Sequence, residues 1–207
     1  MGKLNYQSRV YHIRGITPIL GGLPASRDIY TQYIASKNPQ GDGDQEIIDH
    51  LREEKGITVF ARDSRENICL LSRHIRGFFK EALSALKAQC DIGRVKNKID
   101  TLLFVEPALI PLMRNGRTIT DEDSMLERPL RADTLMGPRI ALQSSEIIED
   151  PWEFDMEISL FPNNGTSRKE SLSWEAIETA LDYGAFHGIG QWRNADYGKF
   201  IWKKVEE

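Results

Sequence analysis

Three glycines, Gly188, Gly190 and Gly198, flank the pair Trp192-Arg193 near the end of the chain, and Gln191, Tyr197, Lys199 and Phe200 share the same short stretch. Glycine lets a backbone approach a phosphate closely and offer its N–H groups, while an aromatic ring or a guanidinium plane stacks on an unpaired base. That combination suits a single nucleic-acid strand, with Trp192, Tyr197 and Phe200 as stacking candidates. The same spacing also suits a hairpin that needs positive φ at its turn and keeps Trp192 in the core.

A second group of candidates lies between Arg128 and Arg139, where Arg131 and Arg139 are of the type that clamps phosphate bidentately. Between Pro111 and Ile140 five basic residues face five acidic ones, so neutralisation of Asp121, Glu122, Asp123 and Glu127 is an equally good use of them. The pairs Asp42/Asp44 and Asp121/Asp123 carry oxygen ligands of the kind hard cations take, or line solvated loops.

Conventional catalytic patterns are missing: there is no GxxxxGK[ST] loop, HExxH, GxSxG or CxxC. His12, His50, His74 and His187 show no ligand spacing, so neither a metal nor another cofactor is called for. Cys69 and Cys90 each sit in an apolar-periodic segment and read as reduced core residues.

The net charge of −4 excludes a uniformly cationic coat, but the charges are segregated. From Arg73 to Lys98 seven basic residues face two acidic ones, and from Asp42 to Glu54 six acidic residues face Arg52 alone. An acidic protein can thus present one cationic surface. With 40% hydrophobic residues over 207 positions, the chain has the balance of one globular domain with its own core. No apolar run reaches membrane-spanning length and Met1–Tyr6 is not a secretory signal, which makes a cytoplasmic protein without membrane partners the expectation.

Several elements must position these groups. Ser8 to Ile13 alternates as a strand, and Gly21-Gly22-Leu23-Pro24 is turn-prone. Short helices are expected over 26–37 and 44–54, separated by a loop. Two strands, 57–61 and 67–71, form a hairpin and lead into a helix with Ser72 as N-cap. Its stripe of Ile75, Phe78, Phe79, Ala82 and Leu86 faces the core. Arg73, Arg76, Lys80 and Lys87 then fall on the other side as a basic ridge about four turns long. Thr101 to Val105 reads as a strand, 109–138 as a long projecting loop or hairpin, and 139–142 and 154–160 as strands. Ser173 caps a last helix reaching about Tyr183, and the tail ends in a strand. Strands with two framework helices on one face describe an α+β sandwich.

The strand that runs into Gly15-Ile16-Thr17-Pro18-Ile19-Leu20, the helix Ile75-Arg76-Gly77-Phe78-Phe79-Lys80-Glu81-Ala82 and the terminal Gly188-Ile189-Gly190…Gly198-Lys199-Phe200 resemble the RAMP superfamily. These are the RRM-like proteins that form the backbone of CRISPR effector complexes, and the likeness is greatest to stand-alone, phage-type relatives. The resemblance implies a ferredoxin-like or RRM-like antiparallel sheet with helices on one face, an inserted segment over about 21–56 and a hairpin over about 109–138. It places Gly188, Gly190 and Gly198 beside nucleic acid and Arg73, Arg76 and Lys80 on its phosphates. Some family members cut RNA with a loop aspartate, for which Asp28 and Asp133 are the candidates here.

The reading that follows is non-catalytic binding of single-stranded RNA or DNA along a basic groove. Phosphates would meet Arg73, Arg76, Lys80, Arg131, Arg139 and Arg193. Repeated subunits of a homo-oligomer or ribonucleoprotein-like assembly would share the strand, in phage recombination or replication or a CRISPR-related process. Two alternatives remain: a metal-dependent endoribonuclease of the same fold, and an acidic inhibitor or capping module that uses 42–54 to imitate nucleic acid.

Overall fold

The computed structural model describes residues 4–25, 56–90, 92–134, 137–162 and 172–205, with backbone alone for 130–142. The helices expected over 26–37 and 44–54, the acidic run 42–54 and Asp28 lie outside the described residues.

The main sheet is antiparallel throughout. β1 (Gln7–Gly15) is central, flanked by β13 (Glu153–Leu160) along its whole length and by β14 (Phe200–Lys204). β7 (Leu103–Glu106) pairs with the far edge of β13, and the short β9 (Met113–Arg114) and β10 (Arg117–Thr118) extend that edge, so the principal order is β14-β1-β13-β7. Alternation decides the faces. Tyr11, Ile13, Leu103, Val105, Phe154, Met156, Ile158 and Phe200 are buried on one side. Against it pack helix α1 (Ser72–Ala85), through Ile75, Phe78, Phe79, Ala82 and Leu83, and α4 (Trp174–His187), through Ala176, Ile177, Ala180 and Leu181. Each such apolar side chain stabilises by about 1.5–3 kcal/mol when buried. The other face is polar, with ion pairs His12–Asp155 at 2.7 Å and Arg14–Glu153 at 3.8 Å.

A second sheet is built on a long hairpin, β11 (Ser124–Thr134) and β12 (Gly137–Ile148). The base of β12 carries β4 (Gly56–Val59) in parallel and β2 (Ile19–Leu20) antiparallel, and β3 (Leu23–Pro24) pairs with β4. A third sheet joins β5 (Ala61–Arg62), β6 (Ile68–Leu71) and β8 (Leu109–Pro111). Two short helices, α2 (Lys87–Cys90) and α3 (Val95–Leu102), lie between α1 and β7. The fold is therefore α+β with mostly antiparallel sheets.

Several local expectations shift. The stretch 109–138 is not one projection: Ile110, Leu112 and Ile119 are buried, and the hairpin spans 124–148. Thr101 and Leu102 finish α3, so the strand starts at Leu103. Ser72 is the first helical residue rather than the cap; Leu71 holds that position without a side-chain bond, and the Ser72 amide donates to the Ala108 carbonyl at 3.0 Å. Ser173 does cap α4, accepting from the Ala176 amide at 3.2 Å. Cys69 is buried, which pushes its thiol up to about 11, and Cys90 is half-buried; both are free thiols.

A side-chain clasp ties the base of the hairpin to β9 of the main sheet. Arg114 on β9 donates to both carboxylate oxygens of Asp123, at 2.9 and 2.6 Å, and to the Glu149 carbonyl at 2.7 Å. Asp123 also accepts from the Glu149 amide at 2.7 Å. The Arg114 guanidinium holds the Asp123 carboxyl below its ordinary value. A folded value below the unfolded one means that the clasp contributes fully above about pH 4 and fades as pH falls through the depressed value. Asp123→Asn is therefore expected to lower the urea midpoint at neutral pH, with the gap to wild type closing as pH falls below about 4. In α4, a Cβ on Gly184 would lie 2.2 Å from the Phe200 ring. Gly184→Ala is expected to cost about 1–3 kcal/mol by overpacking despite alanine's better helix propensity, as read by chemical denaturation.

Candidate nucleic-acid interface

The glycine stretch is shaped by close approach of backbone to backbone. α4 ends at Gly188, at φ 73°, and the chain returns so that the Ile189 amide donates to the Gly198 carbonyl at 2.9 Å. The Gly198 amide in turn donates to the Pro18 carbonyl at 2.7 Å, just after β1. Gly198 has φ 74°, and a Cβ there would sit 1.9 Å from the Ile189 carbonyl oxygen; a Cβ on Gly188 would sit 2.5 Å from that of Tyr197. These two glycines are required by the loop's own packing. Gly190, at φ 85°, meets Ile19.

The outer side of this loop carries the candidate side chains. Trp192 sits in the left-handed region at φ 57°, is 38% exposed, and stacks on Tyr197 with centroids 5.4 Å apart and planes 13° from parallel. The core placement of Trp192 is thereby excluded. Phe200 is not a stacking residue: it is buried under α1, edge-on to Phe78 at 5.4 Å. Lys199 pairs with Asp196 at 2.5 Å, and its amide donates to the Thr17 hydroxyl at 2.9 Å.

The hairpin arginines include one that is buried against the loop. The Arg128 guanidinium lies 4.6 Å from the centroid of the Trp192 ring. It is 4% exposed, its Nη2 reaches Gln143 Oε1 at 3.4 Å, and its Nε and Nη1 have no hydrogen-bond partner. Burial pulls its pKa down, yet guanidinium stays charged near neutrality. The aromatic pair is thus backed by a cation with no carboxylate on it among the described residues. Sequence could not single it out, because burial and the stack on Trp192 depend on how the hairpin crosses the loop.

Gln191 ties the loop to the hairpin base. Its Oε1 accepts from Thr58 at 3.1 Å and Ser145 at 3.3 Å, and those two hydroxyls are 2.7 Å apart. Beside them the buried Glu146 accepts from the Phe60 amide at 2.7 Å and from Arg62 at 3.0 Å.

The ridge expected on α1 is divided. The helix stops at Ala85, leaving Lys87 in α2, and Lys80 pairs with Asp100 of α3 at 2.5 Å. Arg76 stays on α1, half-buried. Arg73 is exposed and turns to the glycine loop, where it lines a half-open cavity of about 260 Å³ with His74, Gly77 and Glu81 of α1 and Gly190, Gln191 and Arg193 of the loop. Arg193 is held by both oxygens of Glu81, which also accepts from His187 at 3.2 Å. Partial burial works against ionisation of Glu81, but the bonds from Arg193 and His187 prevail and keep its carboxyl below the usual range. Arg193 is therefore neutralised, while Arg73 carries no ion pair among the described residues.

Arg131, Arg139 and Asp133 lie in the outer hairpin, in register with Ile140, Ala132 and Pro138; their side chains are outside the description. Among the described residues no three or more of His, Cys, Asp and Glu gather as metal ligands, and no helix is long and apolar enough to cross a membrane.

No protein-family model matches the sequence, and no curated protein matches it. Among solved structures the chain is similar to one described as a Type IV-B CRISPR Complex, at 11% identity and a TM-score of 0.50, over 96% of this chain and 90% of the other. At that identity the likeness concerns the fold alone.

The unpaired cation gives a direct prediction. Arg128→Met, which keeps the aliphatic bulk and removes a buried, half-satisfied charge, is expected to leave stability unchanged or raise it by about 1 kcal/mol, net of the lost contact with Trp192. Urea denaturation followed by circular dichroism reads the sign.

Proposed function

We propose that the protein is an RRM-like, RAMP-type subunit that holds single-stranded nucleic acid without cutting it, in a CRISPR-related assembly of repeated subunits. The strand order β14-β1-β13-β7, with α1 and α4 on one face, is that of a ferredoxin-like βαββαβ core, which supports the family reading. The likeness in fold to a chain of a CRISPR complex points the same way.

The observation that carries the proposal is the meeting of Arg73 on α1 with Gln191 and Arg193 of the glycine loop around one cleft. On the same loop the Trp192–Tyr197 stack sits on the Arg128 guanidinium. An exposed guanidinium meets phosphate, and a half-exposed stacked pair offers a platform for bases of any identity. The open face of the main sheet is unsuited to this task. Glu106 and Glu157 face each other in register across β7 and β13 and repel a polyanion, while His12 and Arg14 of this face are taken by Asp155 and Glu153. The strand therefore runs over the hairpin base and the glycine loop.

Fluorescence anisotropy with end-labelled single-stranded RNA and DNA at a series of salt concentrations tests the proposal. Log affinity is expected to fall linearly with log salt, by about 0.7 for each phosphate engaged, and Arg73→Gln flattens the slope by about that amount. Trp192→Ala is expected to weaken binding about tenfold, the value of one lost base stack. Affinity that is undetectable, or that ignores salt, removes the interface.

A further inference from the structure

A glycine in the middle of α1 has no packing reason to be there. A Cβ added to Gly77 would meet nothing within 4 Å, whereas the Gly184 position in α4 is closed by the Phe200 ring. A helical glycine costs about 1 kcal/mol relative to alanine, so Gly77 keeps open a space that alanine would begin to fill. That space is the cavity of about 260 Å³ between α1, β4–β5 and the glycine loop.

The lining is chemically sorted. Leu20, Phe60, Leu70 and Phe78 are its apolar lining, each only 1–4% exposed, and the polar groups are Arg73, His74, Glu81, Gln191 and Arg193. Glu81 and Arg193 neutralise each other, so Arg73 is the uncompensated charge. His74 has its pKa lowered by burial and by the neighbouring Arg73, which leaves an uncharged imidazole able both to donate and to accept. Gln191 Oε1 is occupied by Thr58 and Ser145, and its amide nitrogen has no bond to a described residue. The volume lies just below the usual range for small-molecule sites, about 300–1,000 Å³, which suits one ring system and its sugar.

We propose that this cavity takes a single nucleotide unit, its base seated between α1 and the glycine loop, its edge read by His74 and Gln191, and its phosphate on the exposed Arg73. The unit is supplied either by a base turned out of the bound strand, which rests on the strand-binding reading above, or by a free nucleotide. The two sources share the same chemistry and are separated by experiment.

The full chain and the variants Gly77→Met and Arg73→Gln are titrated in two arms. One uses adenosine monophosphate, followed by calorimetry. The other uses an end-labelled single strand with 2-aminopurine at successive positions, so that anisotropy reports binding and 2-aminopurine emission reports the base's surroundings. Methionine at position 77 is expected to preserve or raise thermal stability because it favours helix and points into empty space. It should abolish the emission change and weaken the strand about tenfold, as one lost base contact does. Arg73→Gln leaves the cavity's shape intact and should weaken both ligands, which covers the case that Gly77→Met fails to fold. Adenosine monophosphate that binds and is excluded by Gly77→Met, with no strand binding at all, supports the cavity with a free nucleotide as ligand and ends the strand reading. A strand that binds wild type and Gly77→Met equally, with no emission change at any position, overturns the cavity proposal and leaves strand binding standing. Binding of neither ligand overturns both.

Discussion

The approach of Gly198 to Ile189 and Pro18 is the constraint on which the candidate interface depends. Three backbone segments, the turn after β1, the exit of α4 and the entry to β14, meet there without room for a Cβ. Because the loop is closed by main-chain bonds on its inner side, its side chains are forced outward. Gln191 is delivered to the hairpin base, Trp192 to Arg128, and Arg193 to Glu81 on α1. The main-chain anchoring leaves Trp192 and Tyr197 stacked on the loop's outer side.

Several cations near the site are matched: Lys80 by Asp100, Arg62 by Glu122 and Glu146, Arg114 by Asp123, Arg193 by Glu81. Two arginines around the glycine loop, Arg73 and Arg128, have no ion pair among the described residues. Arg73 is exposed and can take an anion at little desolvation cost, whereas Arg128 is buried and acts through its field and its stack on Trp192.

Side chains fix the hairpin base on two sides. Asp123 and Arg114 tie it to β9 of the main sheet, and the buried Glu146 ties β12 to the Phe60 amide and to Arg62 of β5. Burying Glu146 is costly unless all its bonds are made, so this contact fixes β12 against the segment that follows β4. That placement matters because Arg128 rides on the paired strand.

Local pattern alone determined much of the frame. The period-two alternation of 154–160, the apolar stripe of 75–82 and the Ser173 cap are signals carried by neighbouring residues, and each element formed where those signals lie. The glycine-rich tail was legible as a loop with special backbone needs, though the needs proved to be its own packing more than a ligand's. What neighbours in sequence cannot express is partnership at a distance. Phe200 looked like a stacking ring until α1 was laid over it, and Lys80 looked free until α3 brought Asp100 to it. Arg128 became the distinctive cation because tertiary packing buried it on Trp192, sixty-four positions away in the sequence. Burial, pairing and empty space arise only when separate segments meet, so the site was decided by the fold and its scaffold by the chain.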